Sequence, residues 1–97
     1  MSPTRDDLQL KIHLIRECLA QRFHDVLPHS PQQDRFVFND GAHSFQFGFS
    51  RPAMEALPLD RLRTFMETEA IPLIVQNPGM QTFYEADGLS VRDTVPT

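Results

Sequence analysis

Residues 35–49 read RFVFNDGAHSFQFGF, and how this stretch folds decides the architecture. Phe36 and Phe38 flank Val37, while Phe45, Phe47 and Phe49 alternate with Gln46 and Gly48. Alternation with period two marks two β-strands, each with one apolar face. Between them, Asp40-Gly41 is a hairpin signal, because glycine adopts the positive φ that tight turns require. A two-residue turn there sets Phe36 against Phe45, Phe38 against His43 and Arg35 against Gln46. A four-residue loop over 39–42 gives the same pairs. Opposed residues share a face, so all five phenylalanines are expected on one side, with His43 ending their row. Arg35, Val37, Asn39, Ser44, Gln46 and Gly48 fall on the other side.

Working outward, Leu8, Ile12, Ile15, Leu19, Phe23 and Val26 recur at steps of three and four. That spacing predicts a helix over 4–26, capped by Thr4 with Asp7 and ending before Pro28. PHSPQQD at 28–34 reads as a linker. Residues 50–60 read as a turn or a single helical turn. Leu59, Leu62, Phe65, Met66, Ala70 and Leu73 then predict a helix over 59–76, bent at Pro72 and stopped by NPG at 77–79. The competing reading makes IPLIVQ, 71–76, a buried strand. MQTFYE at 80–85 and LSVRD after the second Asp-Gly, at 87–88, predict a closing hairpin, and 94–97 a loose tail.

The expected fold is therefore one α+β domain over 1–97, in the order α-β-β-α-β-β. Strands joined by tight turns predict an antiparallel sheet of about four strands, covered on one face by two helices. The phenylalanine face is the surface that can receive both apolar helix stripes, which makes it the inside of the protein. The expected core is Leu8, Ile12, Ile15, Leu19, Phe23, Phe36, Phe38, Phe45, Phe47, Phe49, Leu62, Phe65, Met66 and Phe83.

Composition narrows function. The chain has 97 residues, 40% hydrophobic and 23% charged, with a net charge of −4. Proteins that live on nucleic acid take most of their affinity from a basic face, and this total argues against one. Base-stacking sheets also set their aromatics among basic residues and leave them exposed. The single cysteine, Cys18, forbids an internal disulfide and favours a reducing, cytoplasmic location. No secretory signal or membrane-length apolar run is read; the longest run, 71–75, has five residues.

Catalytic patterns are weak. His13, His24, His29 and His43 lack the short spacings of a zinc site, so no metal and no cofactor is expected. Cys18 lies mid-helix, away from the helix starts and sharp turns where thiolates are activated. Glu67 and Glu69, two apart on a helix, point in different directions. No glycine-rich phosphate loop and no nucleophile elbow is present. No catalytic residue is assigned, and a catalytic role has little in its favour.

Two surfaces remain. At about 100° per residue the main stripe of the first helix covers about an 80° arc. Leu10 lies nearly opposite its centre, and Leu14 lies a further ~40° round. Apolar residues set there suggest a contact with a second chain, most simply a two-fold homodimer. The second surface is the open sheet face, where Arg35 and Gln46 offer donors beside Val37. The sequence thus points to a small cytoplasmic, non-catalytic accessory or adaptor protein acting through protein–protein interaction. A nucleic-acid-associated regulator with a local arginine patch is the alternative, and a small enzyme is third.

Overall fold

The computed structural model describes residues 3–94. The Thr4 side chain and residues 95–97, where a cap and most of a loose tail were expected, lie outside the described part. The chain folds as α1 (Pro3–Arg22), β1 (Arg35–Asn39), β2 (Ser44–Phe49), α2 (Arg51–Ala56), α3 (Leu59–Phe65), α4 (Ile71–Gln76), β3 (Met80–Glu85) and β4 (Gly88–Asp93). One four-stranded sheet runs in the order β1-β2-β3-β4.

The expected α+β class holds, but the sheet is mixed. β1–β2 and β3–β4 are antiparallel, whereas β2 and β3 are parallel. Each hairpin obeys its turn. Between the hairpins the chain runs through α2, α3 and α4, and a helical crossover returns it to the end of the sheet from which β2 started. A purely antiparallel sheet extended hairpin logic across a connection that is not a hairpin.

The first hairpin pairs Phe36 with Phe47 and Phe38 with Phe45, two residues out of the expected register. The loop is four residues, 40–43, rather than the turn at 40–41. Asp40 Oδ1 accepts from the backbone N–H groups of Ala42 and His43, which wraps the chain around the carboxylate. Those N–H groups, His43's first, hold the Asp40 carboxyl below its ordinary range. Gly41 carries φ +92, as the loop requires. A slip of two residues preserves which face each side chain occupies. The five phenylalanines therefore still share a face, and each is at most 2% exposed. His43 leaves their row for the loop, and Arg35 faces Gly48 instead of Gln46.

The phenylalanines belong to one core cluster with Leu8, Ile12, Ile15 and Leu19 of α1, Met54 of α2, Leu62 of α3, and Met66 and Ile74 further along. α1 ends four residues earlier than expected. The Phe23 N–H still bonds to Leu19, but Asp25 takes φ +51 and the chain leaves the helix. Phe23 keeps its place in the core, its ring 4.7 Å from Phe38 and 5.2 Å from Phe45.

The segment 59–76 is helical throughout, so the strand reading of 71–76 fails. Pro72 has no N–H to donate, and the turn before it, Met66–Ala70, widens to a π-helix in which Ile71 N–H reaches Met66 O. The wide turn absorbs the missing bond without ending the helix. Of the expected core residues, one packs at the margin of the core and one lies elsewhere. Phe65 is half-buried with its ring 4.7 Å from Tyr84. Phe83 faces the opposite side of the sheet, because Tyr84 pairs with Phe49 and Phe83 with Gly48.

One core member is charged. Lys11 is 1% exposed, and its Nζ donates to the Met54 and Glu55 carbonyls at 2.8 and 3.2 Å, with Asp7 at 3.3 Å. These carbonyls lie at the end of α2, where a helix runs out of internal donors; the Met54 carbonyl also accepts from the Leu57 N–H at 3.3 Å. At its start, Ser50 Oγ accepts from Ala53 N–H. α2 is thus fastened at both ends, and its far end is held by α1. Lys11→Met keeps the apolar stem and removes the charge-assisted bonds. It should cost about 2–4 kcal/mol, read as a lower urea midpoint at unchanged m-value.

Candidate functional site

By the parity of the ladders, the face opposite the phenylalanines carries two rows of side chains. Arg35, Gly48, Phe83 and Ser90 form one, and Val37, Gln46, Gln81 and Arg92 the other. The expected site residues Arg35, Val37 and Gln46 are all on this face, spread over both rows. Arg35 and Gln46 are buried, and both are engaged in polar or ring contacts. Val37 is half-buried.

The second hairpin adds what sequence reasoning missed. The Arg92 guanidinium stacks 4.2 Å from the centre of the Phe83 ring and forms an ion pair with Glu85. Phe83 in turn lies across Gly48. A Cβ at position 48 would stand 2.9 Å from the ring and 3.0 Å from Gln81 Nε2. The glycine is there because the aromatic ring occupies the space a side chain would need. Placing Phe83 in the core hid this, and the signal that could have found it was Gly48 interrupting an aromatic strand. Gly48→Ala should destabilise the fold by about 1–3 kcal/mol and unseat the Arg92–Phe83 stack. The Phe83 ring-proton shifts, together with the melting temperature, check it.

On α1, Leu10 is 55% exposed, while Leu14 is half-buried against the core cluster. The apolar patch is therefore smaller than two exposed leucines would make it. Cys18 is buried in the core, where burial pushes its thiol up, outweighing the opposing charge of nearby Arg63. Among the described residues no group of three or more His, Cys, Asp and Glu could hold a metal ion. No helix in them is long and apolar enough to cross a membrane.

A second polar cluster joins the linker to α2. His29 Nε2 lies 2.9 Å from Asp34 Oδ1, and Arg51 clamps the same carboxylate through Nε and Nη2 at 2.9 and 3.0 Å. The His29 ring packs 5.5 Å from Phe36 and stacks 5.7 Å from Phe49. Asp34 adopts φ +47. The cluster thus ties residues 28–34 to the sheet, which a composition-based linker would not do. His29 also walls a groove of about 320 Å³ with Gln9, Ile12, His13, Arg16, Pro28 and Pro31. Of the two imidazoles in this lining, His29 is the one bonded to Asp34.

Comparison with protein-family models, curated protein sequences and solved structures gives no match.

Burial alone pushes the Asp34 carboxyl up, but the bonds from Arg51 and His29 outweigh it and hold the group below its ordinary range. The unfolded chain then binds the proton first as pH falls, so this contribution is complete above the ordinary carboxylate range and is lost as pH drops through the lowered value. Asp34→Asn should flatten the acid limb of the stability–pH profile, measured by urea denaturation from neutral pH downward.

Proposed function

We propose that this protein is a small, non-catalytic accessory or adaptor protein that binds another polypeptide on the open face of its sheet. In this reading α1 and the 59–76 helix cover the phenylalanine face, and the opposite face, where Arg35, Gln46 and Gln81 are themselves buried, presents Phe83, Arg92 and Val37 to a partner. The observation that carries it is the Arg92–Phe83 stack seated on Gly48, with Gln46, Gln81 and Val37 beside it. Aromatic and arginine side chains are the residue types that dominate protein interfaces. Phe83 is half-buried and held in place before any partner arrives, which reduces the ordering cost of binding. Leu10 adds an exposed apolar side chain on α1, but alone it makes a small surface. The cytoplasmic placement belongs to the same proposal, in keeping with a free, buried Cys18.

The nucleic-acid alternative has less support. Arg92 is paired with Glu85, Arg51 with Asp34, and Arg63 lies within 3.9 Å of both Glu17 and Glu67. Arg35 and Lys11 are buried. Arginines tied to carboxylates in this way do not form the basic stripe that phosphate contacts need.

A photo-crosslinking residue placed at Val37 tests the proposal in the protein's own cells. One discrete protein adduct is expected, lost on Arg92→Glu and absent when the probe sits at exposed Glu69. No adduct from Val37, or equal adducts from both positions, overturns the reading.

A further inference from the structure

The two edges of the sheet are not alike. β1 is closed by the chain that follows α1. His24 N–H bonds to Asn39 O at 2.6 Å and Asn39 N–H to His24 O at 3.0 Å, Leu27 N–H to Val37 O at 2.9 Å, and Ser30 N–H to Arg35 O at 3.0 Å. β4, at the other end, has no neighbour on its outer side among the described residues. Proteins block exposed edges with proline, lysine, bulges or cover. Gly88–Asp93 pairs residue for residue with β3, without a bulge, and its sequence GLSVRD holds neither proline nor lysine; its two charged residues stand at the strand's end, Arg92 turned onto Phe83 and Glu85, and Asp93 last.

Which backbone groups are available follows from the turn. Glu85 and Gly88 close a two-residue connection, and such a closing pair exchanges hydrogen bonds. Ser90 and Arg92 therefore also turn their backbone groups toward β3. Leu89, Val91 and Asp93 turn theirs outward. The same alternation is visible on β3, where Tyr84 O, non-bonded toward β4, accepts from Ser50 N–H on the other side.

We infer that a second copy of this chain occupies the β4 edge, its β4 antiparallel to the first, with Ser90 opposite the partner's Ser90 on a two-fold axis. In this register Leu89 exchanges backbone hydrogen bonds with the partner's Val91, and Val91 with the partner's Leu89. Both side chains lie on the phenylalanine side of the sheet and are half-exposed in the single chain, so pairing joins four apolar side chains into one strip. The Ser90 Oγ is buried with no hydrogen-bond partner. The two serines meet as a non-hydrogen-bonded pair, the closer kind, so that rotating the Ser90 side chain out of its buried position lets the hydroxyls bond across the strands. This register places Asp93 opposite the partner's Asp87, beyond the end of the strand; shifting it by two residues in either direction sets Leu89 or Val91 itself against an aspartate. Because the described residues leave one open edge per chain, the assembly closes at two copies and does not grow into a fibre.

The axis stands perpendicular to the sheet, so the two open faces become one eight-stranded surface carrying both Arg92–Phe83 stacks. The inference rests on the reading of this protein as an interaction module, whose binding face it doubles. Two six-residue strands form a small interface, so the association should depend on concentration.

Sedimentation equilibrium of the full chain over a wide concentration range tests it, together with two variants. The wild type should rise from one to two chain masses. Val91→Lys, which sets a charge on the outer edge, should stay at one mass with an unchanged circular dichroism spectrum. Under mild oxidation Ser90→Cys should form a disulfide-linked dimer far faster than Arg92→Cys, which sits off the axis. A wild type monomeric throughout overturns the inference, as does a dimer that survives Val91→Lys. Equal crosslinking at 90 and 92 overturns the register and with it the proposal. The Val37 adduct is scored separately. Its loss with the dimer intact removes the binding reading alone, and a monomer that keeps the adduct removes the dimer alone.

Discussion

Gln46 to Phe49 of β2 lie alongside Gln81 to Tyr84 of β3, and this four-residue parallel ladder holds two hairpins together as one sheet. Its register has two consequences at once. It sets Tyr84 beside Phe49 on the helix side, and Phe83 over Gly48 on the other. A slip by one residue would exchange them, leaving a tyrosine where the glycine makes room for a ring and stranding a phenylalanine against Phe65. Burial on one side and steric fit on the other thus specify the same pairing.

The core and the open face are coupled through the same strands. β2 contributes Phe45, Phe47 and Phe49 to the interior, and Gln46 and Gly48 to the opposite surface. A strand so apolar on one side is rigid by packing, which makes it a firm base for the Arg92–Phe83 stack. Polar bonds fasten the remaining pieces to this frame. Lys11 holds the end of α2, and the His29–Asp34–Arg51 cluster holds the segment between α1 and β1. Both clusters act as fastenings. Lys11 is occupied by carbonyls, and the Asp34 carboxylate is already shared by an arginine and a histidine. Buried polar groups with every partner assigned make a structure specific more than they make it reactive.

The two edges show the same economy of means. The chain leaving α1 does not wander as a linker. It bends at Asp25 and lies along β1, so that the backbone groups of Val37 and Asn39 are met. The opposite edge receives no such cover from the described residues, and its apolar members, Leu89 and Val91, remain half-exposed. An edge left open beside a polar, aromatic face distinguishes this sheet from one that is merely half-solvated.

Much of the fold was legible in the residues. Period-two alternation placed β1 and β2 and put five phenylalanines inside, because that pattern depends on local geometry and survives a two-residue error in register. Helical spacing carried 59–76 through Pro72, although the π-turn moves the buried stripe from the expected Leu73 to Ile71 and Ile74. Helix length was less secure: Phe23 and Val26 continue the apolar rhythm of α1, yet only Phe23 meets the core cluster as a buried member, and Asp25 turns the chain between them. Other features depended on contacts distant in sequence. The direction of β3 relative to β2 follows from where a long crossover returns, which no local pattern encodes. The register in which it returns decided that Phe83 belongs to the outer face, over Gly48. Lys11 and Met54 are 43 positions apart, so a buried lysine could not be told from a solvated one until the helices met. The sequence by itself determined the elements and the inside of the sheet, through hydrophobic periodicity. Only the tertiary structure decided which side chains share the outer face and which edge stays open, because both are set by pairing between segments far apart in the chain.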